Sequence, residues 1–180
     1  GDHRDLHPFP TRRSSDLLYR KTLGLIGVGL IGTEVAKRAA AFGMDVIATD
    51  PFLASHPVAT LVPLEDLLAR ADYVSLHTPL TDDTRGMIDA AKIARMKDGV
   101  ILVNTGRGKV VVESDLAAAL HSGKVRAYAT DVWTSDPPPP DCPLLSAPNV
   151  LMTPHIGASS KENLGRIGDV VVEILSRRAG

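Results

Sequence analysis

The sequence predicts an α/β domain with a doubly wound parallel sheet. Short apolar runs alternate with amphipathic stretches along most of the 180 residues, and the apolar runs stop at glycine, proline or polar residues. Regular alternation of strands and helices is typical of a parallel sheet covered by helices on both faces. With 44% apolar residues, a chain of this length can bury the core that such a domain needs.

The composition argues against several classes of function. The formal net charge is −1 with no basic cluster, so we expect no nucleic-acid partner. No run approaches the roughly 18 consecutive apolar residues of a membrane helix, and no secretory signal is visible, so we expect no membrane partner and a cytoplasmic location. Cys142 is the only cysteine and the histidines lack metal-binding spacing, so neither a disulfide nor a metal site is predicted.

A glycine-rich turn lies between the first two predicted strands. The apolar run 23–26 leads into Gly27-Val28-Gly29-Leu30-Ile31-Gly32, an amphipathic segment follows, and a second apolar run over 46–48 leads to Asp50. Strand, glycine turn, helix, strand and acid in this order form the context in which GxGxxG indicates a Rossmann-type dinucleotide-binding unit.

Each part of this turn has an expected role. Gly27 permits the tight turn, Gly29 lets the backbone approach a pyrophosphate, and Gly32 lets the helix pack close to the strand. The helix N-terminus presents free N–H groups and a partial positive charge to the phosphates, at Leu30 and Ile31.

Asp50 indicates which dinucleotide is bound. It follows Gly32 by 18 residues, about where an acid hydrogen-bonds the hydroxyls of the adenosine ribose. Its charge would repel a 2′-phosphate, so the sequence predicts NAD rather than NADP.

A helix is predicted directly after the glycine turn, over about 32–42, with Gly43 as its C-terminal stop. Its apolar residues recur at three- and four-residue spacing, which predicts a buried face made of Val35, Ala36, Ala39 and Phe42.

The middle of the chain repeats the alternation of strand and helix. Short apolar runs predict a weak strand near 58–61 and further strands over 73–76, 100–103, 127–130 and 150–152. Apolar residues at helical spacing predict helices over 64–71, over the stretch that residues 81–83 can cap, and from Ser114 or Glu113 to a stop at Gly123.

The last helix is predicted over about 160–176, after a proline run that cannot be regular structure. Its apolar residues have the spacing of a packed helix, and they are Ile167, Val170, Val171, Ile174 and Leu175.

Polar residues follow the ends of the predicted strands. Ligands of open α/β sheets bind outside the carboxyl ends of the strands, so these residues should line one crevice. They are Gly27–Gly32, Asp50, His77-Thr78, Asn104–Gly108, Asp131 and His155.

Five motifs in this order resemble the D-isomer-specific 2-hydroxyacid dehydrogenase family. They are GVGLIG with Asp50, HTPLTDDTRGMI, VNTGRGKVV, TDVWTSDPPPPDCPLL and PNVLMTPHIGASS, and they span about 22–180. Within the family, TPHIGASSKEN most resembles the D-3-phosphoglycerate dehydrogenase branch. The resemblance implies an NAD-dependent enzyme that transfers a hydride between nicotinamide and C2 of a 2-hydroxy acid, with 3-phosphoglycerate as a candidate substrate.

The resemblance assigns the chemistry to three side chains. Arg107 lies between two glycines, its planar guanidinium can grip a carboxylate at two points, and the matching family arginine binds the substrate. His155 occupies the family's acid–base position, which suits an imidazole because its unperturbed pKa lies near neutrality. Asp136 stands where the family has a Glu partner for that histidine, and its shorter side chain makes its reach depend on the proline loop. Each could instead be structural: a surface arginine, a strand-end histidine and a turn aspartate.

The resemblance also implies the remaining cofactor contacts. Asp131 matches a residue that hydrogen-bonds the nicotinamide carboxamide, and Gly157 matches backbone that faces it. Thr78-Pro79 matches a loop beside the adenosine and ribose, and Thr105-Gly106 one beside the nicotinamide ribose. The complete expected set is Gly27, Gly29, Leu30, Ile31, Gly32, Asp50, Thr78, Pro79, Thr105, Gly106, Arg107, Asp131, His155 and Gly157. The residues His77, Trp133 and Met152 are expected to pack.

Family members contain a second, smaller substrate domain, most of which this sequence lacks. We expect a non-native or disordered leader over 1–17, which resembles a translated sequencing adapter, and a dinucleotide-binding domain over 18–180. The last helix is expected to lead toward the missing domain. The implied partners are a 2-hydroxy or 2-oxo acid and, at full length, a second copy in a homodimer. The chain alone is expected to bind NAD and to turn over poorly.

Two alternatives stay open. Some relatives of this fold are NADH-responsive co-regulators that bind protein partners, although the pair of Arg107 and His155 favours an enzyme. Formate dehydrogenase shares the fold but has an amide residue where Asp136 stands, so the carboxylate speaks against it.

Overall fold

The computed structural model describes residues 18–178, so the predicted leader over 1–17 lies outside the described residues. The strands are β1 (Thr22–Ile26), β2 (Asp45–Thr49), β3 (Thr60–Leu61), β4 (Tyr73–Leu76), β5 (Val100–Asn104), β6 (Val125–Thr130) and β7 (Val150–Met152). The α-helices are α1 (Leu30–Ala41), α2 (Leu64–Arg70), α3 (Ala90–Arg95), α4 (Glu113–Ser122) and α5 (Lys161–Arg178).

The seven strands form one sheet in the order β3-β2-β1-β4-β5-β6-β7, and every neighbouring pair is parallel. This confirms the predicted doubly wound α/β class. Because the chain turns from β3 back across β1 to β4, the order reverses between β1 and β4. A crevice at this reversal point is where such sheets bind ligands.

The sheet separates two apolar cores. Leu23 and Leu25 of β1 face α1 in one core, which includes Ala36 and Ala39, while Ile26 belongs to the larger core on the other side. Gly24 lies against α2, where an added Cβ would approach Leu67 Cδ2 to 2.6 Å. Both faces of β1 are therefore covered, as the continuous apolar run 23–26 predicts.

The helix predicted after residues 81–83 is much shorter than expected. Thr81 and Thr84 exchange hydrogen bonds between backbone N–H groups and hydroxyls, which offers the backbone a local turn instead of a helix. Ile88 forms an isolated parallel bridge with Val111. The helix begins only at Ala90, where Asp89 caps it by accepting from the Lys92 N–H at 2.8 Å.

Within residues 18–178, two sets of apolar side chains that were predicted to be buried are exposed. Phe42 does not join the buried face of α1 but is exposed, because it lies past the last turn at the C-cap. The apolar face predicted for the last helix exists along α5, but its side chains are between 48% and 61% exposed. No element within 18–178 covers that face, so it is not packed as predicted.

Candidate active site at the carboxyl ends of the strands

The glycine turn has the geometry that its sequence predicts. Gly27 has φ +88°, which favours glycine, and an added Cβ would lie 3.1 Å from the backbone of His77. At Gly32 an added Cβ would lie only 2.4 Å from the carbonyl oxygen of Gly27. A Cβ at Gly29 would meet no atom within 4 Å. Only Gly29 therefore faces open space, where a pyrophosphate would approach.

The N-terminus of α1 is suited to an anion. Gly29 is the N-cap and supplies no side-chain hydrogen bond, and the first turn contains no acidic residue. Leu30 and Ile31 are exposed at this end. Their side chains thus leave the helix terminus accessible, and its partial positive charge favours phosphate.

Asp50 is held beside this turn by two backbone groups. Its Oδ2 accepts from the N–H of Val28 and its Oδ1 from the N–H of Phe52, both at 3.0 Å. The carboxylate at the end of β2 is thereby oriented next to the glycine turn. Each oxygen keeps a free lone pair that could accept from a ribose hydroxyl.

A cleft of about 240 Å³ continues across the reversal point. It is lined by Ile31 of α1, by residues 77–79 after β4 and by residues 105–107 after β5. Within 18–178, Thr78 Oγ1 is the one buried side-chain oxygen or nitrogen without a hydrogen-bond partner. An unpaired hydroxyl at a cleft wall can donate to or accept from a ligand atom, so the residues present fit a bound dinucleotide.

His77 is partly buried and lines this cleft beside Thr78. Its Nε2 lies 3.0 Å from Ser75 Oγ, and burial lowers its pKa, so the ring stays neutral near neutrality. Arg107 lies at the cleft edge, and its guanidinium donates to the carbonyl oxygen of Gly106 at 2.7 Å. No ion pair joins Arg107 to another described residue, so its charge is available to a carboxylate.

His155 and Asp136 form a hydrogen bond despite their separation in the sequence. His155 Nδ1 lies 2.8 Å from Asp136 Oδ2, and the two side chains are 49% and 47% exposed. An ionised carboxylate can only accept, so Nδ1 carries the proton and donates it. In the neutral ring Nε2 is then left as the acceptor. The shorter aspartate side chain therefore reaches the histidine.

Asp131 has contacts that the sequence did not predict. Its Oδ1 accepts from the Thr153 hydroxyl at 2.5 Å and the Ile156 N–H at 2.9 Å, and its Oδ2 accepts from the Gly157 N–H at 2.8 Å. Burial opposes ionisation, but these donors outweigh it and hold the pKa of Asp131 below its usual value. Asp131 and Gly157 are thus joined to each other, in the turn that carries His155.

His56 makes contacts beside α1 that its sequence context did not predict. Its Nδ1 accepts from the N–H groups of Val58 and Ala59, so Nε2 carries the proton and faces Thr33 Oγ1 at 3.0 Å. It joins the linker after β2 to the first turn of α1, where the Thr33 hydroxyl also donates to the carbonyl oxygen of Val28 at 3.0 Å. No spacing rule could have found it, because the ring bonds backbone groups of an irregular segment.

The residues of the cleft and the residues around His155 are joined through β5 and β6. The Asp131 N–H donates to the carbonyl oxygen of Asn104 at 3.2 Å. An added Cβ on Gly108 would lie 2.0 Å from the backbone of Trp133, so the segment carrying Arg107 touches the segment leading to Asp136. The expected crevice residues therefore share one edge of the sheet, with the glycine turn over β1 and the histidine beside β7.

Other kinds of site find little support in the part of the chain that the structure describes. It contains no group of three or more histidine, cysteine or acidic side chains placed to hold a metal ion. None of the helices within 18–178 combines the length and the apolarity needed to cross a bilayer.

A parallel sheet with a glycine turn at its reversal point, an anchored acid after the second strand and an open cleft defines a dinucleotide-binding domain. The family model described as D-isomer specific 2-hydroxyacid dehydrogenase, NAD binding domain, matches residues 7–157. The chain belongs to this family, and NAD is the cofactor of the domain.

Relatives with several assigned activities resemble the chain. A hydroxypyruvate reductase of Thermotoga maritima is 48% identical over 91% of this chain and 54% of the relative. A D-3-phosphoglycerate dehydrogenase of Archaeoglobus fulgidus is 45% identical over 85% of this chain and 30% of the relative. The chain therefore spans about half or less of the length of these relatives.

Solved structures agree with the fold. The NAD complex of a formate dehydrogenase from Staphylococcus aureus matches with a TM-score of 0.85 and 37% identity, over 91% of this chain and 50% of that one. A D-lactate dehydrogenase from Aquifex aeolicus, solved with NAD and lactic acid, matches with a TM-score of 0.84 and 34% identity, over 90% and 54%.

Proposed function

We propose that this chain is the cofactor half of an NAD-dependent dehydrogenase that interconverts a 2-hydroxy acid and the corresponding 2-oxo acid. The observation that carries the proposal is the 2.8 Å hydrogen bond between His155 and Asp136 at the sheet edge that also carries the glycine turn. An acid–base pair beside a nicotinamide site is the arrangement that reversible hydride transfer needs.

The chemistry divides among three side chains. Bound NAD would supply the hydride acceptor. His155 Nε2 takes the proton of the C2 hydroxyl during oxidation and returns it during reduction, while Asp136 holds the ring through Nδ1 and stabilises the imidazolium. Arg107 grips the substrate carboxylate, because its guanidinium has no ionic partner among the described residues and offers a planar pair of donors.

The finer assignments are also part of the proposal. Gly27–Gly32 would bind the pyrophosphate, Asp50 the adenosine ribose, and Thr78 the dinucleotide through its unpaired hydroxyl. The substrate would be a small 2-hydroxy or 2-oxo acid of the phosphoglycerate, hydroxypyruvate or glyoxylate type, with 3-phosphoglycerate favoured by the TPHIGASSKEN motif. The carboxylate at position 136 supports this class over formate.

We further propose that residues 18–180 belong to the dinucleotide-binding domain of a longer enzyme, which is a homodimer when complete. The second wall of the substrate site would come from the other domain. On this basis, the 180-residue chain binds NADH but turns over 2-oxo acids slowly.

A titration of NADH by its fluorescence, paired with an assay of 2-oxo acid reduction, tests the proposal. We expect saturable binding of NADH and turnover far below that of a complete enzyme. Asp50→Ala should weaken the binding strongly, while His155→Gln should weaken it far less and abolish the remaining turnover. The proposal fails if NADH does not bind, or if His155→Gln retains the full turnover of the wild type.

A further inference from the structure

We propose that Glu113, the first residue of α4, is a positioning residue that holds the loop carrying Asp136 and so sets its hydrogen bond to His155. The inference deepens the proposed function and depends on it for its catalytic consequence. The contacts that carry it lie outside the cofactor cleft.

Both oxygens of the Glu113 carboxylate bind the same loop, one at each end. Oε1 accepts from the backbone N–H of Thr134 at 3.2 Å, and Oε2 accepts from the Cys142 thiol at a distance of 3.6 Å from Sγ. Asp136 and the proline run lie between these two contacts. A single side chain therefore ties the beginning of the loop to its end.

Cys142 anchors the far end of the loop in the core. Its side chain is 5% exposed, and Leu144 beside it is fully buried. Burial raises the pKa of the Cys142 thiol, and the neighbouring Glu113 carboxylate raises it further. The thiol therefore stays protonated near neutrality and can donate to Glu113.

The middle of the loop has little packing of its own. Most of its residues are exposed, and it borders a hollow of about 360 Å³ that separates it from residues 152–154. An exposed segment keeps its conformational freedom unless its ends are fixed, and tying the ends together removes part of that freedom. The position of Asp136 thus depends on the two anchors at Glu113.

Trp133 connects the start of the loop to the turn that carries His155. Gly108 contacts the backbone of Trp133 so closely that no Cβ fits, and Trp133 Nε1 donates to the carbonyl oxygen of Thr153 at 3.1 Å. An ion pair between two half-exposed groups contributes little by itself. Its 2.8 Å geometry therefore depends on the backbone that positions both residues, and Glu113 contributes to that positioning on the Asp136 side.

The tautomer of His155 depends on the hydrogen bond to Asp136, so it shows whether Asp136 is in position. It can be measured without any turnover. In the neutral ring, an Asp136 acceptor favours the Nδ1–H form, whereas an unconstrained imidazole favours Nε2–H. Long-range ¹H–¹⁵N spectra of the ¹⁵N-labelled 180-residue protein measure the two forms at a pH where the imidazole is neutral. The ring signals that disappear in His155→Gln are those of His155. We expect the Nδ1–H form to predominate in the wild type and to lose its majority in Asp136→Ala.

Two variants of Glu113 distinguish the effect of side-chain length from the effect of charge. Glu113→Asp keeps the charge but is one methylene too short to span both loop ends, so at least half of the wild-type excess of Nδ1–H should be lost. Glu113→Gln keeps the length, accepts from Thr134 and can donate to the Cys142 sulfur, so the tautomer should stay as in the wild type. Asp115→Asn is the matched control, since Asp115 lies in the same helical turn but accepts from the Ala90 N–H instead.

The possible outcomes are distinct. A wild-type tautomer in Glu113→Asp, or an equal loss in Glu113→Gln, would overturn the positioning role while the His155–Asp136 pair stands. A wild-type tautomer in Asp136→Ala would instead remove the pair from the proposed function. Cys142→Ala, which cuts only one anchor, should shift the tautomer in the same direction by less, and it decides the matter if Glu113→Asp does not fold.

Discussion

The two halves of the candidate site are held in different ways. On the cofactor side, the glycine turn is fixed by backbone contacts so close that Gly32 has room for no Cβ, and Ile26 and Val28 beside it are buried. On the histidine side, His155 and Asp136 are half exposed and held by hydrogen bonds between loops. Packing within this chain thus determines the first half, while the second half depends on individual polar contacts. The two halves should therefore respond differently to substitution.

Among the variants of the candidate site, the largest effect is expected for Gly32→Ala, because its Cβ would collide with the Gly27 carbonyl oxygen at 2.4 Å. Overpacking of this kind costs about 1–3 kcal/mol, and NADH binding should be lost with the displaced turn. Gly29→Ala is the matched variant. Its Cβ meets open space, so stability should change by less than about 0.5 kcal/mol while NADH affinity falls. Denaturant unfolding and NADH fluorescence measure both, and equal destabilisation by the two variants would contradict the proposed division.

A slightly smaller effect is expected for Asp50→Ala, which removes the acceptor of the Val28 and Phe52 N–H groups. The substitution also removes the proposed acceptor of the adenosine ribose hydroxyls. Losing hydrogen bonds to a charged group costs about 1.5–3 kcal/mol, so NADH should bind at least about tenfold more weakly. Affinity for NADPH should fall less, because the repulsion of its 2′-phosphate is also removed. Asp45→Ala is the control, because Asp45 is exposed at the amino end of β2, opposite the edge of the sheet that carries the site. It should change the affinity for neither NADH nor NADPH. An unchanged ratio of NADH to NADPH affinity would show that Asp50 does not select the cofactor.

On the histidine side, Asp131→Asn should loosen the turn around His155 without unfolding the domain. The new amide would turn an N–H group toward donors that now face a carboxylate oxygen. Hydrogen exchange at Ile156 and Gly157 should accelerate about tenfold, which corresponds to about 1.4 kcal/mol, while amides of β1 keep their protection.

The same turn should depend on pH. Since the pKa of Asp131 is held below its usual value, its contribution is complete above the ordinary aspartate pKa of about 3.9 and is lost as the pH falls through the folded value. Corrected for intrinsic exchange, the two amides should therefore lose protection below about pH 4 in the wild type and show no such change in Asp131→Asn. A persistent acid dependence in that variant would assign the effect to another group.

The smallest effect is expected on the apolar face of α5. Ile174 is half exposed, so Ile174→Ala should change the free energy of unfolding of this chain by less than about 0.5 kcal/mol. Leu116→Ala, at a fully buried position in α4, should cost about 2–5 kcal/mol. A large loss on α5 would mean that the face is covered in solution.

The elements best predicted from the sequence are those with local signals. The strands over 73–76 and 150–152 agree with the structure to the residue, because short apolar runs are bounded by polar residues or proline. The helix after residues 81–83 and the burial of Phe42 were wrong. There the outcome depended on hydroxyl contacts within a turn and on where the last turn of α1 ends.

The sequence by itself determined the parallel sheet, the glycine turn and the edge at which polar residues collect, because strand direction and glycine spacing are properties of consecutive residues. Only the tertiary structure decided that Asp136 reaches His155, that Asp131 holds the turn at Gly157 and that Glu113 spans the proline loop. These contacts join residues 19, 26 and 29 positions apart through irregular segments. Residue pattern does not specify the path of such segments, since it follows from which backbone and side-chain groups meet when the sheet assembles.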